Sequence, residues 1–443
     1  MNTLKQKCWS TTMHWLVFAA VAGLAGCGGG SSGNDNTDNE GNNSSSSSSI
    51  ANGNNGSSSV ANDSSSVANG SSSSVPNGVV PDPDPELQSY DVLLEGKQEV
   101  PKVSTDQSAT AAVTVNRTDM MVMAAMNLSD VVGVNAAHIH AGDVGTNGPV
   151  VFGFSDSGDN GIWVIEGEAL TEVQHDALLA GGWYINVHTE SFPDGELRGQ
   201  ILTDTQSLYV FTLSGNQEVP AVQTDAHGQG YLLYDSSNGI LTLNTLAWDL
   251  TATAAHIHQA EAGMNGDILV GWDADSGTEG LWQLADGTVL GSDDIYALRT
   301  ANLYVNVHTD AYPDGEIRGQ ILPDDTVLIL FDLSAGQGVP AVTSDASGLG
   351  YLTLNTATGG LRLNVWAKDM EATGASIRQA NTGENGDTVL ALEEHEDHPG
   401  LWQTPENVAM STGAQATLLA GGHYVNVYSA DFPSGEIRGQ ITD

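Results

Sequence analysis

The chain has 443 residues, with 12 Lys and Arg against 55 Asp and Glu and a formal net charge of -43. That balance repels polyanions, so the folded part is not expected to bind nucleic acid or an anionic lipid surface. It favours solubility and draws cations, but an acidic solvated surface names no function by itself.

The N-terminus reads as an export signal. Lys5 and Lys7 precede an apolar run from Met13 to Ala25 that is too short for a comfortable membrane span. The run ends in Leu24-Ala25-Gly26-Cys27, which resembles the lipobox of bacterial lipoproteins, where the Cys becomes the lipidated first residue. The expectation is a signal peptide over 1–27, lipidation at Cys27, and export to the bacterial cell envelope with a membrane contact through lipid. Gly28 rather than Asp follows the Cys, so the outer membrane is the expected address. The only other cysteine, Cys8, leaves with the signal. Stability outside the cell then rests on packed cores or metals.

Residues 28–86 are mostly Gly, Ser, Asn and Asp, with Pro81-Asp82-Pro83-Asp84-Pro85 near the end. With so few apolar groups to offset the entropy of ordering, the expectation is a disordered linker with a reach of roughly 40 Å.

The remainder is an internal triplicate. Gln98-Glu99-Val100-Pro101 returns as Gln217-Glu218-Val219-Pro220 and Gln337-Gly338-Val339-Pro340, and Arg198-Gly199-Gln200 returns as Arg318-Gly319-Gln320 and Arg438-Gly439-Gln440. A unit of that length can bury its own core, which gives three domains over 87–205, 206–325 and 326–443. Runs such as Leu208 to Leu213 and Leu303 to His308 have strand composition. Asn147-Gly148, Asn265-Gly266, Asn385-Gly386, Asp194-Gly195 and Asp314-Gly315 are hairpin-turn dipeptides, with Ser434-Gly435 in the third copy. One short helix per unit is expected, capped by Thr171, Ser292 and Ser411 in turn. The predicted fold is all-β: three tandem antiparallel β-sandwiches, each with one helix.

The most informative residues are histidines. His138-Ile139-His140 is followed by Asn186-Val187-His188, and His256-Ile257-His258 by Asn306-Val307-His308. The third copy reads Ser376-Ile377-Arg378 and Asn426-Val427-Tyr428. Strand alternation puts His138 and His140 on one face, and Tyr184, Asn186 and His188 on one face of the later strand. If those strands are neighbours, three imidazoles converge, a set that suits copper or zinc. Joint loss in one copy is how a site serving one ligand disappears, and the fixed charge of Arg378 can take the place of a cation.

Residues kept in the copy without histidines are assigned to the fold: Trp163, Trp282 and Trp402, and the pairs Glu196–Arg198, Glu316–Arg318 and Glu436–Arg438. At i and i+2 on a strand, such a pair can form a carboxylate–guanidinium contact. Weaker candidates are the loop cluster of Glu393, Glu394, His395, Glu396, Asp397 and His398, and Asp273, Asp275 and Glu279 for calcium, which lack EF-hand spacing. No serine or cysteine nucleophile has a readable partner, and no catalytic residue is assigned.

The His-Ile-His segment with its nearby Asn-Gly, and the stretch from Tyr184-Ile185-Asn186-Val187-His188 through Phe192-Pro193-Asp194-Gly195-Glu196-Leu197-Arg198-Gly199-Gln200, resemble the CHRD domain, the repeat named after chordin. The resemblance covers about residues 87 to 443 and implies an extracellular β-rich module. His-x-His on a sandwich strand also resembles the copper site of Cu/Zn superoxide dismutases, although the bridging histidine, the zinc ligands and the disulfide of that family have no counterpart. Three functions compete: metal or ligand binding through the histidines of the first two units, an adhesion or scaffold role with structural histidines and an unidentified protein or surface ligand, and a metal-dependent oxidoreductase.

Overall fold

The computed structural model describes residues 87–274 and 280–442. The segments expected to be signal and linker, with Cys27, lie outside the described residues, as do Asp275, Glu279 and the side chain of Asp273. No helix among the described residues is long and apolar enough to cross a membrane.

The first unit has strands β1 (Leu87–Glu95), β2 (Ser108–Asn116), β3 (Met121–Asn127), β4 (Val134–Ala141), β5 (Val150–Gly153), β6 (Ser155–Asp156) and β7 (Ile162–Ala169), helix α1 (Glu172–Leu179), then β8 (Trp183–Thr189) and β9 (Leu197–Gln200). All pairings are antiparallel, in the order β5-β4-β8-β9-β1-β2-β3-β7-β6. A single sheet thus curls round one core, and its two sides play the part of the two layers of a sandwich. The third unit closes fully into a barrel because Leu401–Gln403 pairs with both Leu361–Lys368 and Asp387–Glu394. The all-β antiparallel architecture with one short helix per unit stands as expected.

Alternation along β4 and β8 decides what the core receives. Ile139, Ile185 and Val187 are fully buried among Val113, Val122 and Met126, while the histidines beside them face outward. Trp282 and Trp402 sit in the cores of their units, and Trp163 packs half-buried against the first.

The helix caps hold twice. Thr171 accepts from the Gln174 backbone N–H, and the Gln174 side chain accepts in return from the Thr171 backbone N–H, a reciprocal capping box; Ser411 accepts from Ala414. In the second unit the cap is Gly291, not Ser292, which is already the first helical residue. The Asp294 carboxylate accepts from the Gly291 backbone N–H at 3.1 Å, so a side chain inside the first turn does the capping. The Asn-Gly and Asp-Gly dipeptides do not form two-residue hairpin turns. They lie in longer connections, 142–149 between β4 and β5 and 190–196 between β8 and β9. Gly148 is required there because a Cβ would sit 1.6 Å from the Ala141 carbonyl oxygen.

The repeated motifs fasten these connections. Arg198 donates to the carbonyls of Thr146 and Asp143 at 2.9 and 3.1 Å, and Gln200 donates to those of Gly142 and Gly181. Asn147 donates to the Val100 carbonyl, as Asn265 and Asn385 do to Val219 and Val339. The expected Glu–Arg pair does not form. Glu196 precedes β9, just after the Gly195 turn at φ +133°, where alternation with Arg198 no longer applies. Its carboxylate accepts from Thr105, Gln107 and Thr189, and Glu316 likewise accepts from Thr224 and Thr309. The first reads as a tie between connections and the strand end, not as a salt bridge.

Consecutive units dock through the same connection. Val144 packs on Tyr231 and Leu233 of the second unit. The Tyr231 hydroxyl donates to the Glu99 carbonyl, and Asn244 donates to the Val144 carbonyl at 2.7 Å. Tyr351 and Asn364 repeat these bonds against Glu218 and Ala262, and Trp366 adds one to the Gly263 carbonyl. By strand register, the first unit has Ala112 and Ala125 where its successors have Tyr and Asn. At the other end Thr382, Gly383 and Glu384 are exposed.

Candidate metal centre

Strands β4 and β8 are neighbours, with Ala136 opposite His188, His138 opposite Asn186 and His140 opposite Tyr184. Three imidazoles therefore meet on the outer face. Their ring centroids are 5.1 Å apart for His138–His188, 5.7 Å for His138–His140 and 6.4 Å for His140–His188. In the second unit His256–His308, His256–His258 and His258–His308 are 4.7, 5.7 and 6.1 Å apart. Within each triad the ligating atoms lie within 4.8 Å of one another, and these are the two such groups among the described residues.

Hydrogen bonds fix which nitrogen each ring offers. His140 Nδ1 is 2.9 Å from the Gly148 carbonyl, so it carries the proton and Nε2 keeps its lone pair. His188 Nδ1 donates to the Pro193 carbonyl at 3.0 Å, leaving Nε2 as acceptor. His138 Nδ1 then faces His188 Nε2 at 3.2 Å and can donate to it, or lose that proton and turn a third lone pair inward. His258–Gly266, His308–Pro313 and His256–His308 repeat the scheme at 3.0, 3.0 and 2.8 Å. Orienting a histidine through its second nitrogen to a backbone carbonyl is how metal-ligating imidazoles are held.

The donor set fits a metal on a further count. His140 Nε2 and His258 Nε2 are buried and have no hydrogen-bond partner. An orphaned polar atom costs about 1–3 kcal/mol, and an ion bound by the lone pair offsets it. Burial lowers the pKa of His138, which its two partners lower further. Burial also lowers His140, against the Gly148 hydrogen bond, and does the same to His256, His258 and His308. Neutral imidazole is the ligating form.

The third unit shows what fills the space otherwise. Arg378 Nε donates to the Gly386 carbonyl at 2.8 Å, where the other units place a histidine Nδ1, and its guanidinium also reaches the Tyr428 hydroxyl at 3.3 Å. Ser376 and Tyr428 hydrogen-bond through their hydroxyls. The network is satisfied, with a fixed positive charge where the triads converge.

Tyrosines whose role was missed from sequence, lying over the arginines already assigned to the fold, support the rings from below. Tyr184 stacks on His140 at 5.0 Å and 11°, and its hydroxyl accepts from the Gly148 N–H. The Arg198 guanidinium, 1 % exposed, lies 3.5 Å from the centre of the Tyr184 ring. Tyr304 over Arg318 and Tyr424 over Arg438 repeat this stack. The recurrence of Tyr two residues before the shared Asn was the available signal. Glu99, also missed, is 4 % exposed and bonds Asn186; burial pushes its carboxyl up to about 7, against the pull of Arg198. Glu218 is likewise pushed up to about 7 by burial, while the third unit has Gly338. The loop histidines His395 and His398 lie 4.7 Å apart, with Asp397 N–H donating to His395 Nδ1, and the described residues supply no third ligand there.

Among known families, the model of the CHRD domain matches residues 90–201, 209–321 and 330–441. No curated protein and no solved structure matches the chain.

Proposed function

We propose that this chain, which belongs to the CHRD family and carries three of its domains in tandem, binds one copper or zinc ion in each of its first two domains. The observation that carries the reading is the pair of unpartnered, buried nitrogens, His140 Nε2 and His258 Nε2, each on a member of a three-histidine cluster. Three neutral imidazoles leave a coordination position open, which suits capture of an ion or of a ligand through it. The third domain, with Ser376, Arg378 and Tyr428 in those places, acts as a metal-free companion. The lipobox-like Cys27 and the linker after it support a cell-envelope protein held by lipid and displayed away from a membrane.

Elemental analysis of purified protein tests the metal reading: about two ions per chain are expected. His140→Ala with His258→Ala should remove them while the domains stay folded. A folded chain without stoichiometric copper or zinc, after exposure to both, favours the scaffold reading with structural histidines. For the anchor, Cys27→Ser should yield exported soluble protein, and a variant that stays with membranes contradicts it.

A further inference from the structure

The loss in the third domain extends beyond the histidines. In the second domain the triad forms the floor of an open depression of about 470 Å³, lined also by Ile268, Asp310, Pro313 and Asp314. Ile268 pairs with His258 across the strands and is 58 % exposed, an apolar side chain at the mouth of a polar site. Val150 holds the same place beside His140 and is also exposed. In the third domain the position is Thr388, opposite Arg378. The carboxylates change in step. Two residues past the last triad histidine stand Glu190 and Asp310, and six past it Asp194 and Asp314; the third domain has Ala430 and Ser434. All four carboxylates are exposed and are not needed to hold the fold, since the third domain keeps the same strands without them.

The acidic rim does not stand alone, because His258, 8 % exposed and with a buried Nε2 that has no hydrogen-bond partner, lines the same depression. Building on the metal reading, we propose that the open coordination position takes a small organic cation: a molecule with a neutral nitrogen donor for the metal, a short apolar stretch against Val150 or Ile268, and a positive group between the rim carboxylates. A divalent ion on three neutral imidazoles would by itself attract anions. Two carboxylates per rim cancel that charge, so an anionic ligand gains nothing and a cationic tail gains Coulomb energy.

The test is calorimetric titration of the full chain, first with zinc and then, zinc-loaded, with three probes that share one imidazole donor: 1-(3-aminopropyl)imidazole, 1-propylimidazole and 3-(imidazol-1-yl)propanoate. At low ionic strength the aminopropyl probe should bind about tenfold tighter than the propanoate, with the propyl probe between them and the spread shrinking as salt is added. Glu190→Gln, Asp194→Asn, Asp310→Asn and Asp314→Asn together should leave zinc uptake intact and reverse the order, so that the propanoate binds at least as tightly as the aminopropyl probe. Val150→Thr with Ile268→Thr should weaken all three probes without changing their order. Failure to take up zinc overturns the metal reading and this inference with it. Normal zinc uptake with no probe binding, with the propanoate equal or better, or with an order the four substitutions do not alter, overturns this inference alone.

Discussion

The first two domains and the third share strands, connections and clamps, and differ at one face. Where the third places a guanidinium that satisfies the Gly386 carbonyl and the Tyr428 hydroxyl, the others place imidazoles with a nitrogen left over. The Arg–Tyr stack beneath is present in all three. The scaffold is therefore separable from what it carries: the clamp belongs to the fold, and the upper layer is exchangeable between a cation-binding set and a built-in cation.

The comparison is sharpest if the clamp costs the same everywhere. Arg198→Met, Arg318→Met and Arg438→Met each remove a buried cation holding two connection carbonyls, and each should destabilise its domain by about 3–5 kcal/mol in denaturant unfolding. A cost confined to the histidine domains would tie the clamp to the metal site instead.

Metal should separate the domains. At a free concentration 100 times its dissociation constant, an ion that binds only the native state stabilises it by about 2.7 kcal/mol. Copper or zinc should raise the unfolding transitions of the first and second domains, excised at 87–205 and 206–325, and leave that of 326–443 unmoved. Replacing Ser376, Arg378 and Tyr428 together by His should transfer the response to the third domain. Equal shifts in all three wild-type domains would break the comparison.

A smaller effect concerns protons. The lowered pKa of His138 and His140 means that the unfolded chain binds more protons below the ordinary value of 6.5. Metal-free 87–205 should therefore lose stability as pH falls through 6.5. Glu99 works the other way: its raised pKa, about 7 against 4.5, makes the folded state bind the extra proton, so it adds stability as pH falls from about 7 to 4.5. Glu99→Gln should steepen the acid loss, as read from unfolding midpoints at successive pH. An unchanged slope would show that Glu99 is ionised in the native domain.

The smallest expected effect lies at the junctions. Tyr231→Phe and Tyr351→Phe each remove a hydroxyl that donates to a carbonyl of the preceding domain. Each should weaken docking by about 1 kcal/mol, measured as the difference between tandem and excised domains.

Recurrence and alternation are local properties, and the sequence alone carried them. The Arg-Gly-Gln and Gln-x-Val-Pro repeats set the three units, and a period of two placed Ile139 inward and His138 and His140 outward. A capping residue marked α1, although Gly291 rather than Ser292 caps its counterpart because an aspartate within the turn supplies the acceptor. The triad itself needed β4 beside β8, a pairing set by closure of the whole sheet across about fifty residues of sequence. Only that closure brings the Gly148 and Pro193 carbonyls to the rings and decides which nitrogens stay free. It also sends Arg198 to loop carbonyls and Tyr184 instead of Glu196, because a buried guanidinium with five donors is satisfied where acceptors converge in space, not where a carboxylate lies two residues away.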